Sequence, residues 1–201
     1  MHRRRALIAA AACAALLIGA CGGENRQAGA SDADTGRRVD PRCDGRELPP
    51  LSPGGVGPAQ LGVRISTLAE LCRVTDTSYM AAEGMRERSH LVHFGDHRVI
   101  AVSTGTADTS IIRVIVHDSA FATPEGIGVG STIGEMRSLY PVLSYARGEG
   151  NLVVTIPSLP GISFAYDGRG LPEDPTRAIG RQPAAMDPAR LTSLWIFRPI
   201  Q

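Results

Sequence analysis

The sequence predicts an α+β domain: two tandem α-β-β-β repeats whose strands form one antiparallel sheet, with two short helices on one face. Two observations predict it. A helix-start phrase occurs twice, carried by Thr67 with Glu70 and by Thr132 with Glu135, 65 positions apart (132 − 67). In this T-x-x-E spacing the hydroxyl and the carboxylate satisfy backbone amides left free at a helix start. Each phrase is then followed by three short apolar runs separated by turn residues, the pattern of a strand meander.

In chain order, residues 1–20 read as an export signal. Arg3, Arg4 and Arg5 form a positive start, and 6–17 form an apolar run shorter than a membrane span needs. Leu17-Ile18-Gly19-Ala20-Cys21 resembles the lipobox of bacterial lipoproteins. The resemblance implies cleavage before Cys21, acylation of its thiol, and a place at the bacterial cell envelope. Gly22 after the cysteine, where aspartate is absent, fits the outer membrane facing the periplasm if the source has two membranes. The other reading is an ordinary secretory signal with an incidental cysteine.

Residues 21–60 read as the lipidated cysteine and a flexible linker. Residues 22–42 hold almost no large apolar side chain, and Pro49, Pro50, Pro53 and Pro58 alternate with glycines after them. With Cys13 in the signal and Cys21 acylated, Cys43 and Cys72 remain. In an oxidising compartment such a pair most simply forms a disulfide. The alternative is a buried thiol at Cys72 and a free one at Cys43.

The globular domain is expected over 61–201. Its first repeat, 61–120, opens with a helix at 67–73 whose apolar stripe is Leu68, Leu71 and Cys72. Strands follow at 90–94, 98–103 and 110–117, while 75–89 is polar and matches neither template. The second repeat, 123–201, opens with Gly126, Gly128 and Gly130 and a helix at 132–140 ended by Pro141. Its strands fall at 152–156, 161–166 and 191–198. Residues 167–190 make a loop longer than compact domains usually carry, which moves the last strand out of period.

The chemistry-bearing letters do not assemble into a reaction centre. A phosphate loop needs a lysine, and all 21 basic side chains outside the histidines are arginine. His90 and His93 point to opposite strand faces; His93 and His117 share one, but a metal site wants three or four ligands, so no metal or cofactor is expected. His117-Asp118-Ser119 has triad letters, but adjacent extended residues cannot hydrogen-bond in series. Without the three leading arginines the formal charge of +1 becomes −2 (1 − 3), which argues against a nucleic-acid partner.

Strand faces carry the remaining signal. Ile162, Phe164 and Tyr166 lie on one side of their strand, with small Ser163 and Ala165 on the side a helix could cover. Trp195 and Phe197 share a face, as do Arg113, Ile115 and His117. Arg113, His117, Tyr166 and Trp195 are therefore the candidate interaction face, since exposed aromatic and arginine side chains anchor protein contacts. The alternative is a sheet covered on both sides.

The phrase over 126–141 resembles one found in uncharacterised bacterial envelope lipoproteins. Helix-plus-meander repeats opened this way are also similar to the SmpA/BamE-type outer-membrane assembly lipoproteins and to β-lactamase inhibitory proteins. The match covers 61–72 and 126–141; repeat one departs from it at Ile65-Ser66. The resemblance implies a protein-binding habit with no catalytic residue. The expected role is a non-enzymatic, membrane-anchored interaction module with an envelope protein as partner. The alternatives are an inhibitor of a secreted or periplasmic enzyme, and a small-ligand sensor that would need an enclosed pocket.

Overall fold

The computed structural model describes residues 40–80, 86–103, 109–148, 151–169, 171 and 183–198. The leader, Cys21 and linker residues 22–39 lie outside them.

Among the described residues eleven strands form two antiparallel sheets, accompanied by two α-helices. A small sheet has the order β1 (Leu51–Ser52), β2 (Gly55–Val56), β3 (Ala59–Gln60). After helix α1 (Ile65–Leu71) come β4 (Val74–Met80), β5 (Arg86–Phe94), β6 (His97–Ser103) and β7 (Ile111–Val116). Helix α2 (Ile133–Leu139) precedes β8 (Ser144–Gly148), β9 (Asn151–Thr155), β10 (Ile162–Asp167) and β11 (Leu191–Phe197). The large sheet has the order β4-β5-β6-β7-β11-β10-β9-β8, so two meanders meet through their last strands.

Four strands therefore follow each helix, where three were expected. The additional strands, β4 and β8, are the sheet's two edges. Edge strands are half solvated and need no apolar alternation, so Thr75-Asp76-Thr77-Ser78 and Ser144-Tyr145-Ala146-Arg147 gave no strand signal.

One face of the large sheet carries the main core. Val92, Phe94, Ala101, Val114, Val116, Phe164, Tyr166, Leu194 and Ile196 pack with Leu68 of α1 and with Ile133 and Met136 of α2. Leu51, Val56 and Ala59 of the small sheet join the same core. The flexible linker expected as far as residue 60 therefore does not extend that far. Residues 40–60 are folded, because Pro and Gly here shape tight turns that bury the few apolar side chains between them. Gly55 shows why: its φ is +144°, and a Cβ there would lie 2.1 Å from the Ala59 carbonyl oxygen.

Cys43 and Cys72 form the expected disulfide, with Cα atoms 5.4 Å apart. Both are buried, and the bond ties the N-terminal segment to the end of α1. The Asp40 amide donates to the Leu71 carbonyl, and the Gly95 amide to the Cys43 carbonyl, so backbone bonds hold the same junction.

The capping box at Thr132 and Glu135 is present. The Glu135 amide donates to Thr132 Oγ1 at 3.2 Å and the Thr132 amide to Glu135 Oε2 at 2.7 Å. Thr67 and Glu70 do not cap α1. That helix starts at Ile65 after Arg64, with no side-chain cap. Its first amide, of Ile65, instead donates to the Thr109 carbonyl at 3.0 Å, which replaces a cap with tertiary backbone.

The two helix starts share a pattern of backbone bonds to the last strand of their half. Gly62 donates to Ile111, Ile111 to Val63, and Ile65 to Thr109. Gly130 donates to Leu191, Leu191 to Ser131, and Ile133 to Ala189. Gly62 and Gly130 both have left-handed backbones, with φ of +85° and +97°.

Candidate interaction surface

The second face of the large sheet is built from the residues between the core positions. Register places Leu91 beside Ile100, Ile100 beside Ile115, and Ile115 beside Trp195. Val102 stands beside Arg113, and Arg113 beside Phe197. Val102, Ile115, Ala165 and Trp195 form a second apolar cluster, with Tyr79, Ile100, Val153 and Phe197 packed at its border. Every member is a strand residue; among the described residues neither helix nor the small sheet contributes to this cluster.

Of the four expected interaction residues, the structure brings Arg113, His117 and Trp195 to this face. Tyr166 is a correction. It is fully buried on the opposite face, with its hydroxyl 3.7 Å from Met136 Sδ, and burial pushes that phenol's pKa well up. The large side of β10 faces the helices and the small side faces outward, the reverse of the sequence expectation. Two seven-residue helices are short enough to leave room for Phe164 and Tyr166 beneath them.

Two concavities open on this face. The first, of about 570 Å³, is lined by Leu91, Arg98, Ile100, Ile115, His117 and Asp118. The second, of about 390 Å³, is lined by Ile112, Arg113, Trp195 and Phe197. Arg113 is held there by an ion pair to Glu87 and by its guanidinium 5.8 Å from the Tyr79 ring centroid. The indole Nε1 of Trp195 is buried and has no hydrogen-bond acceptor among the described residues.

The histidines divide by face, as the strand period requires. His93 lies on the helix-free face, with Nε2 3.1 Å from Thr75 Oγ1. Partial burial, then the neighbouring positive charges of Arg73 and Arg98, lower its pKa. His97 Nδ1 meets Asp118 Oδ2 at 3.0 Å. Among the described residues no group of three or more His, Cys, Asp or Glu side chains converges as metal ligands would.

Sequence reasoning missed one constellation. Asp76 Oδ1 lies 2.9 Å from His90 Nδ1, and His90 Nε2 lies 3.2 Å from Ser103 Oγ. These residues sit on β4, β5 and β6, and only pairing brings together letters that stand 14 and 13 positions apart. The atoms follow the order of a hydrolase triad. Acyl transfer also needs a cleft at the hydroxyl and N–H donors aimed at an oxyanion. None of the concavities described above borders Ser103. The chain of bonds satisfies both nitrogens of a buried imidazole and links the edge strand to its neighbours.

No protein-family model and no curated protein sequence matches this chain. A solved structure does resemble it. The crystal structure of the uncharacterized protein yfeY from Escherichia coli superposes with a TM-score of 0.50 at 18% sequence identity, covering 74% of this chain and 99% of that one. At that identity the likeness speaks for the fold alone.

Proposed function

We propose that this protein is a lipid-anchored module of the bacterial cell envelope that docks a partner protein on its helix-free sheet face, without catalysis of its own. The observation that carries the reading is the second apolar cluster, which is made of strand residues, includes Trp195 and is flanked by Phe197 and Arg113. Aromatic and arginine side chains in an apolar setting are the residue types that dominate binding energy at protein interfaces. The lipobox-like stretch ending in Cys21 supplies the anchor in this reading, and residues 22–39 supply the reach.

A duplicated ancestry belongs to the same proposal. The matched bonds support equivalence of Arg64 with Thr132, an offset of 68 (132 − 64). The offset of 65 paired Thr67 with Thr132, but Thr67 lies inside α1, whereas Thr132 lies before α2. Leu68 and Met136 then become equivalent, and both are fully buried. The likeness to SmpA/BamE-type and β-lactamase-inhibitory repeats rests on this unit, here with four strands.

A second reading, inhibition of a secreted enzyme, required an uncovered face bearing Trp195 or Arg113. That reading has less support, because Trp195 and Tyr166 are both buried and Arg113 is partly buried against Glu87.

Site-specific photo-crosslinking in intact cells tests the proposal. A crosslinker at Phe197 or Ile112 should capture a discrete envelope protein, and one at Arg137, on α2, should not. Equal capture from both positions, or capture from neither, would refute docking on this face.

A further inference from the structure

Among the described residues three large apolar side chains stand exposed: Ile112 at 43%, Leu139 at 48% and Val142 at 62%. Ile112 lines the concavity assigned above to docking. The other two lie three positions apart at the C-terminal end of α2, where Pro141 prevents the helix from continuing.

This pair belongs to a run without charge. Residues 138–146 read S-L-Y-P-V-L-S-Y-A, between Arg137 and Arg147. Tyr140, Leu143 and Tyr145 of the run pack into the main core, while Leu139, Pro141 and Val142 are left outside. The charged groups that adjoin the run are already engaged. Arg137 pairs with Asp187 at 2.7 Å, and Arg147 donates to the carbonyls of Gly168 and Leu171. Glu125 accepts from the Tyr140 hydroxyl at 2.6 Å. Each of these groups keeps its partner when an apolar phase meets Leu139 and Val142.

The other half of the molecule covers the equivalent position. The offset of 68 makes Leu71 the counterpart of Leu139 (139 − 71). Leu71 is partly buried against the main core, and its carbonyl accepts the Asp40 amide. Next to it Cys72 is bonded to Cys43. The segment that precedes the first half thus folds over the end of α1, whereas Leu139 at the end of α2 stays half-exposed.

Two features choose what meets it. None of the concavities described above borders the run, so it offers no groove to a protein segment. Aliphatic tips with tyrosine and arginine beside them are instead the composition of an interfacial segment, whose apolar part sits below the lipid headgroups. In the anchored reading, moreover, Cys21 lies 19 positions before Asp40 (40 − 21), at most about 65 Å of chain. A bilayer is then always within reach, and the high local concentration lets a small apolar contact suffice.

We infer that the Leu139–Val142 turn inserts into the surface of the bilayer that carries the anchor, and so sets how the domain stands on the membrane. This rests on the anchoring part of the proposed function and shares no residue with the docking face.

The natural chain has one tryptophan, buried Trp195, which leaves room for a second as a probe. The full chain is expressed with its leader in a bacterium, recovered from the membrane and reconstituted in phosphatidylcholine vesicles. Half the vesicles carry bromine high on the acyl chains, which quenches tryptophan on contact. Val142→Trp should add blue-shifted emission that is lost in the brominated vesicles, while emission added by Ile112→Trp should be equal in both. Leu139→Asp in the Val142→Trp background should restore the lost emission, with an unchanged melting curve confirming the fold. The inference is overturned if the two tryptophans are quenched alike or if Leu139→Asp changes nothing. It is also overturned if the added emission responds to protein concentration and not to brominated lipid, which would make a second copy the occupant. If mass spectrometry finds no acyl chain on Cys21, the anchoring reading fails by itself. A lipid coupled chemically to the Cys21 thiol then presents the same surface for the same measurement.

Discussion

Opening the Cys43–Cys72 disulfide should cost this protein about 3.6 kcal/mol, and the figure follows from chain length. The bond closes a loop of 29 residues. Cross-linking removes denatured-state entropy as a constant plus a logarithm of loop size, worth about 3 kcal/mol for 15 residues and about 4.7 for 100. A loop of 29 falls between them. The structure adds that both cysteines are buried and that backbone bonds from Asp40 to Leu71 and from Gly95 to Cys43 span the same junction alongside the crosslink. The native state therefore keeps its contacts on reduction, and the loss falls on the unfolded side. For a domain of this size about 3.6 kcal/mol corresponds to a drop in Tm of roughly 7–14 °C. The assay is urea unfolding followed by far-UV circular dichroism, with and without reductant, alongside the double variant Cys43→Ala/Cys72→Ala. The midpoint should fall while the native spectrum stays the same. A change below about 1 kcal/mol would refute the loop-closure reasoning, leaving residues 40–60 held by their packing alone.

Further outcomes follow from other contacts. Thr132→Ala should destabilise by about 1 kcal/mol, because it removes the acceptor for the Glu135 amide, whereas Thr67→Ala should be nearly silent in the same thermal melt. Gly55→Ala should abolish the small sheet, its Cβ meeting the Ala59 carbonyl. Gly126→Ala, with φ of +89° and open space around it, should cost only about 1 kcal/mol; proteolysis of residues 51–60 separates the two. The Tyr140 hydroxyl donates to Glu125 Oε2 at 2.6 Å; burial, then that hydrogen bond, raises the phenol to about 12. A raised pKa stabilises fully below the unfolded value near 10 and loses that contribution as pH rises toward 12. The lowered pKa of Glu125, set first by Tyr140, contributes above the ordinary glutamate range and is lost as pH falls below it. Tyr140→Phe should flatten both limbs of a stability–pH curve, and an unchanged alkaline limb would refute the assignment. His90→Leu should destabilise by about 1–3 kcal/mol by stranding Ser103 Oγ, and Ser103 should be unreactive toward fluorophosphonate in the natural chain; labelling of Ser103 would overturn the structural reading of that relay.

Local signals determined much of this protein. The Thr132–Glu135 box was legible because a cap is satisfied within one turn, by residues three apart. Six of the eight large-sheet strands were legible because their faces are buried and their alternation therefore regular. The His90 and His93 separation follows from the strand period alone. The cysteine pair followed from counting, with one thiol assigned to the leader and one to the lipid.

Only the tertiary structure decided the rest. Edge strands β4 and β8 carry no apolar pattern, because half their surface meets water. The start of α1 is set by the Thr109 carbonyl, which lies 44 positions away (109 − 65), so a local cap motif at Thr67 was misleading. Alternation along β10 divides its side chains into two sets but cannot say which set the helices cover; packing put Tyr166 in the core with the helices and Ala165 in the cluster on the opposite face. The Asp76–His90–Ser103 chain and the pairing of His93 with Arg98 exist only once strands pair. Spacing along a chain records local geometry, whereas contacts across a sheet depend on register, and register is settled when the whole core closes.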